Sequence, residues 1–205
     1  METFGERLTR MMKEAGLKDE NMAFLLDVNI QRLENLTSGY CSADIDLIKR
    51  VAEIFGVSQA YAAAVSDDKE VREGDVKEIL VAEKLHPGEV IMRSEDVRYS
   101  IYIDKNITHG KDYIGYIMPD DSMVKARLVK GDTLVVRRQM FAENSNVVVV
   151  ILENGTTVVR RYNRIGNIVT LTCEGDAMKY PPIKIDTTLT KIAIVGRVCE
   201  CRINL

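Results

Sequence analysis

Residue types capable of chemistry are sparse in this chain, and their spacing excludes most of what they could do. His86 and His109 stand alone, with no ligand cluster around either, so no metal is expected. Four cysteines occur, Cys41, Cys173, Cys199 and Cys201, without the spacing of a zinc ribbon. Cys199 and Cys201 alternate on one face of a predicted strand, a poor geometry for bonding to each other. Reduced thiols in a cytoplasmic protein are the expectation, with no cofactor. What remains is hydroxyl chemistry. A serine hydroxyl is a weak nucleophile until a base takes its proton. Asp121-Ser122-Met123 becomes informative only through the pattern that surrounds it.

The elements that would position these residues fall into two blocks. Phe4, Leu8, Met11 and Met12 recur at helical spacing up to Gly16. Met22, Leu25 and Leu26 form a second apolar turn. Ile30, Leu33 and Leu36 make a third, ended by Ser38-Gly39. Ile45, Ile48, Val51, Ala52 and Phe55 make a fourth, closed by Gly56, and Ser58 caps a fifth that runs through Tyr61. Residues 66–78 turn charged and poor in apolar side chains, as a linker should be. Beyond them the chain alternates like strands, at 99–103, 113–117, 133–136, 146–152, 156–160, 168–172 and 192–195. Glu153-Asn154-Gly155-Thr156 is a strong hairpin signal between two of these runs. Helices followed by a block of strands predict separate domains: 1–65, a linker at 66–96, and 97–205.

Composition narrows the function classes. With 46% apolar and 29% charged residues the chain can bury a core, and no window approaches the roughly 18–20 apolar residues of a membrane helix. No signal peptide is read at the N-terminus, because Glu2 and Arg7 interrupt any apolar run. No membrane partner is expected. Residues 1–65 hold 7 Lys/Arg against 10 Asp/Glu and so carry the whole net charge of −3. That sign is opposite to the usual bias of a DNA reader, whose phosphate contacts need cations.

The run from Leu17 to Gly39 nevertheless resembles the helix-turn-helix of the lambda-repressor-like family. Ala23 stands where that family has a small residue at the helix crossing, Asp27-Val28 at the turn, and Leu33 and Leu36 toward the core. The resemblance covers about residues 3–65. It implies that Ile30, Gln31, Arg32 and Asn35 project from a recognition helix, where Gln and Asn can pair with adenine, Arg with guanine, and Ile can touch a thymine methyl. Two positions depart from the family. Lys18 and Asp19, followed by Glu20, stand where the family has a Ser/Thr cap and a Gln that touch phosphate, and Tyr40 stands where it has an often basic residue. Acids at that terminus suit the helix dipole but repel phosphate.

The second block resembles the LexA-like peptidase family over about residues 97–205. The resemblance rests on Asp121-Ser122-Met123, Gly131-Asp132, Glu143 to Leu152, Thr157-Val-Val-Arg-Arg-Tyr162 and Ile194-Val-Gly-Arg-Val198. In that family the serine attacks a peptide in its own hinge, and a buried lysine of lowered pKa takes the proton. The resemblance makes Ser122 the nucleophile position and Arg160 the occupant of the general-base position. A guanidinium has a pKa above ~12 and does not deprotonate in proteins, so Arg160 cannot serve as base, and neither can Arg161. The family cuts Ala-Gly or Cys-Gly in the hinge. Here Ala15-Gly16 lies in the first helix, and the hinge offers only Glu73-Gly74 and Pro87-Gly88.

Together the resemblances imply an all-α helix-turn-helix bundle of about five helices followed by a mostly-β domain. The function implied is a bacterial or phage repressor that binds a double-stranded DNA operator as a homodimer, with a vestigial serine site. Dimer contacts would involve the strand around 194–203, and induction would come from a ligand or an antirepressor protein. Two alternatives remain open from the residues. An active self-cleaving enzyme would need another lysine near Ser122, and Lys125 and Lys130 are expected on exposed structure. A protein-interaction module that has lost DNA binding would fit the acidic first block.

Overall fold

The computed structural model describes residues 2–71, 74, 76–88, 92–108 and 111–203; Glu73 and His109 lie outside them. The chain divides into two compact units, Met1–Leu80 with Val90–Ile107, and Val81–Glu89 with Thr108–Leu205. The first unit opens with five helices, and the second is mostly β, which is the fold class expected from the sequence.

Local chemistry sets the helix ends in the first unit. Helix α1 (Phe4–Ala15) begins with a capping box between Thr3 and Glu6 and stops at left-handed Gly16. Helix α2 (Asp19–Leu26) starts at Lys18, which makes no side-chain cap, and ends at Asp27 with φ of 56°. Asn29 caps α3 (Ile30–Thr37) by accepting from the Arg32 amide at 2.8 Å. Asp44 and Ser58 do the same for α4 (Ile45–Phe55) and α5 (Gln59–Ala62). Leu8, Met22, Leu26, Leu33, Leu36 and Ile48 are fully buried between them, each such side chain contributing about 1.5–3 kcal/mol. A Cβ on Gly5 would stand 2.3 Å from the Leu36 carbonyl, so α1 and α3 approach at a contact only glycine permits. Leu25, read from its spacing as apolar-face, instead points outward at 44% exposure, beside Phe24 at 85%. Arg7 is buried, donating to the Tyr61 and Ser66 carbonyls at 3.3 and 3.0 Å.

Strand β1 (Val76–Ala82) lies inside the stretch expected to be linker. Lys77 and Glu78 gave that stretch its polar character. Strand β2 (Val97–Asp104) follows, with a single helical turn, α6, at Lys105–Thr108. In the second unit the last residues of β1 run parallel to β3 (Tyr113–Ile117), with Val81 opposite Gly115. The sheet continues through β4 (Thr133–Arg138), β5 (Val147–Ile151), β6 (Thr157–Ile165), β7 (Ile168–Thr172), β8 (Ile183–Asp186) and β9 (Ala193–Arg202). Its spatial order from β1 is β1-β3-β4-β9-β5-β6-β7-β8, so the last strand is inserted between β4 and β5. The β5–β6 turn is the expected Asn154-Gly155 hairpin, with Gly155 at φ 80°. Val148, Val150, Val158, Tyr162, Val169, Leu171 and Ile185 form one continuous core cluster across β5 to β8. Gly196 lets β9 seat beside β4, since a Cβ there would be 2.1 Å from the Arg137 carbonyl oxygen.

Candidate functional site

Ser122 sits in the turn that leaves β3, and its surroundings are tied down by short-range hydrogen bonds. Its amide donates to Asp120 Oδ1 at 2.9 Å, and its carbonyl accepts from the Glu174 amide at 2.8 Å. A single 3-10 turn at Val124–Ala126 follows, ended by Arg127 with φ of 61°. Asp132 closes the segment: its Oδ2 accepts from the Val129 amide at 2.8 Å, and its carbonyl from the Met118 amide at 2.8 Å. Gly175 packs over the serine backbone, where a Cβ would lie 2.8 Å from the Asp121 carbonyl oxygen. Ser122 and Met123 are consequently buried.

Arg160 reaches the serine from β6. It is buried, and its Nη1 donates to Ser122 Oγ and, at 2.8 Å, to the Val159 carbonyl. Ser122 Oγ in turn donates to that same carbonyl at 3.4 Å. Asp120 Oδ1 lies 3.6 Å from Arg160 Nη1, and the guanidinium carbon stands 5.5 Å from the Tyr180 ring centroid. Arg160 Nε is buried without a hydrogen-bond partner, a cost of about 1–3 kcal/mol for a donor stripped of water. Burial pushes the Tyr116 phenol up to about 12, partly offset by a hydrogen bond to Thr157 and reinforced by the charge of Asp120. Lys125 and Lys130 are exposed.

Chemically, the serine oxygen accepts a charge-assisted hydrogen bond from a group that holds its proton at any ordinary pH. Arg160 offers the serine oxygen a donor and no acceptor.

The residues expected to read DNA sit together on α3. Ile30 is 38% exposed. Gln31 and Arg32 are exposed and Asn35 is half-buried. Gln31 Nε2 donates to Asn35 Oδ1 at 3.4 Å, and Arg32 forms a 3.2 Å ion pair with Asp44. Three of the four base-reading candidates, Gln31, Asn35 and Arg32, are therefore occupied with neighbours. Sequence reasoning missed the exposure of Phe24; the signal available was its place between core residues Ala23 and Leu26, one step off the buried stripe. Tyr180 and Tyr116 were also missed, being brought near the serine only by the loop after β7 and by β3.

These features define a class: a helical unit followed by a β domain in which a buried serine is held by a strand-borne cation. Residues 78–199 match the family model described as Peptidase S24-like, and the chain belongs to that family. Among curated proteins it is similar to the LexA repressor of Shewanella oneidensis, 32% identical over 109 residues, and to that of Shewanella denitrificans, 31% identical over 109 residues. Each match covers 53% of this chain and 52% of the relative, so the likeness spans about half the length of either.

Proposed function

We propose that this chain is a sequence-specific DNA-binding repressor that dimerises through its β domain and whose Ser122 site does not cleave the chain. The observation that carries the reading is the hydrogen bond from Arg160 to Ser122 Oγ. A permanently charged donor stands where the mechanism needs a proton acceptor, and the exposed Lys125 and Lys130 offer no buried amine in its place. The name of the relatives, LexA repressor, supports repression as the role. The α3 face supports DNA as the target, with Ile30, Gln31, Arg32 and Asn35 as the base readers, and two copies joined through β9 would present two such helices to one operator. Function then resides with DNA in the cytoplasm, and release from the operator needs a ligand or an antirepressor protein rather than self-cleavage.

The test has two arms on the purified full chain. Incubated at about pH 10, where a lysine base becomes neutral, the protein is expected to remain intact by mass spectrometry, as is the Arg160→Lys variant. A fragment pair that disappears in Ser122→Ala sinks the reading of a silent site. A gel shift against the chain's own promoter region is expected to weaken steeply with salt.

A second reading, a protein-interaction module without DNA binding, is favoured by one observation: Phe24 and Tyr40 are 85% and 86% exposed on the acidic first unit. Binding to DNA that does not change with salt, or is absent, selects it.

A further inference from the structure

Arg137 on β4 and Arg197 on β9 are register partners in an antiparallel pair, so their side chains leave the same face of the sheet side by side. Like charges directly opposed on neighbouring strands destabilise a sheet. Neighbouring arginines avoid this cost by pairing: Arg138 with Asp112 at 2.9 Å, Arg202 with Glu200 at 2.7 Å, and Arg161 with Glu174. Arg137 reaches only the neutral Gln139, its Nε donating to Oε1 at 2.7 Å. Among the described residues neither Arg137 nor Arg197 forms an ion pair with a carboxylate. Both are half-buried. Tyr113 extends the row as the register partner of Arg137 on β3; burial pushes its phenol up, and the nearby Arg137 and Arg197 charges work against that rise.

We propose that Arg137 and Arg197 together bind a dianionic phosphate group carried by a small molecule. A guanidinium presents two parallel N–H donors that match the oxygens of a phosphate, and two opposed forks can grip one such group from both sides. A phosphate monoester carries about −1.5 to −2 charges at pH 7, which neutralises two cations that nothing else in the sheet neutralises. A nucleic-acid backbone phosphate is a diester with a single charge and leaves one of them uncompensated. The pair lies in the β unit and does not depend on whether α3 binds DNA; Arg197 lies on β9, so the site requires its face of that strand to stay open when two copies join.

The experiment is thermal unfolding of the full chain with rising inorganic phosphate, ionic strength being held constant with sodium chloride. Ligand that binds the native state alone raises the Tm by mass action, so a saturable rise is expected. Arg137→Gln and Arg197→Gln should each weaken apparent phosphate affinity about tenfold, the loss of one charged hydrogen bond, while Arg164→Gln at the exposed end of β6 leaves it unchanged. Without phosphate, Arg197→Gln should unfold at a higher temperature than the parent, because the like-charge opposition is gone. Glycerol phosphate, a monoester, should bind at least as tightly as the free ion if the natural ligand is a phosphorylated metabolite. No saturable rise beyond matched chloride overturns the proposal, as does binding by either glutamine variant as tight as the parent's. Displacement of phosphate by duplex DNA, lost in Arg197→Gln, overturns the small-molecule assignment.

Discussion

Ser122 and Arg160 are sealed from solvent, and backbone amides, a carboxylate and the loop carrying Gly175 hold them from several sides. Ile30, Gln31 and Arg32 stand on one short helix whose outer face meets water, restrained by the Gln31–Asn35 and Arg32–Asp44 contacts. The two regions fail in different ways. A change in the sealed region that moves packed backbone or strands a buried polar group registers as lost stability. A change on the α3 face leaves the core untouched and registers only when a partner is present. This also separates what each region can still do. The exposed face can rearrange its side-chain contacts for a partner at small cost, since a surface ion pair is worth ~0–1 kcal/mol. The serine cannot meet a peptide without displacing what covers it.

The contrast can be broken from its sealed side first. Gly196→Ala places a Cβ against the Arg137 carbonyl and is expected to cost about 3 kcal/mol in denaturant unfolding of the β unit. Tolerance of that alanine would mean the β4–β9 seam is looser than its register indicates. On the open side, Gln31→Ala combined with Arg32→Ala is expected to weaken operator binding by about 2 kcal/mol or more, with a Tm close to the parent's. A fall in Tm as large as that in Gly196→Ala would erase the distinction between the two regions.

Alkaline pH probes the sealed side without mutation. The Tyr116 phenol is raised in the folded chain to about 12 from an ordinary value of 10.0. Its contribution is therefore complete below pH 10 and is lost as the pH rises from 10 through 12, because the unfolded chain ionises first. Stability should fall across that window, and Tyr116→Phe should flatten the fall; an unchanged profile in the variant assigns it to other groups. The smallest effect concerns Arg160 itself. Arg160→Met keeps a long side chain and removes a buried charge whose Nε is already unsatisfied, while its partner Asp120 retains 27% side-chain exposure. Replacing such a charge by an apolar side chain is expected to change stability by no more than about 1 kcal/mol. A loss above about 3 kcal/mol would show that the Arg160 contacts hold the β6 strand in place.

Much of the fold was legible because the signals are local. Ser58 caps α5 by bonding an amide three residues away, and Asn154-Gly155 supplies the positive φ of its hairpin. Strand β1 escaped notice because its partner on the β3 side is parallel and some thirty residues distant, which leaves no turn signal beside it. Strand β8 escaped because it is only four residues long, Ile183–Asp186, with mixed burial. Leu25 was misread because the apolar stripe of α2 is narrow: Met22, Ala23 and Leu26 fill it, and the next apolar side chains have nowhere to turn but outward.

The candidate site divides along the same line. The sequence alone singled out Ser122 and Arg160, through a resemblance that implies nucleophile and base positions for them, since that is a matter of residue type and order. It also determined that the arginine can only donate, because guanidinium acidity is intrinsic. Tertiary structure decided that the two meet across 38 residues, that Asp120 and Tyr180 stand beside Arg160, and that its Nε goes unsatisfied. It alone opposed Arg137 to Arg197, through a register that includes a bulge at Val135/Val136. Register and burial depend on where distant strands dock, and no window of sequence contains both partners of such a contact.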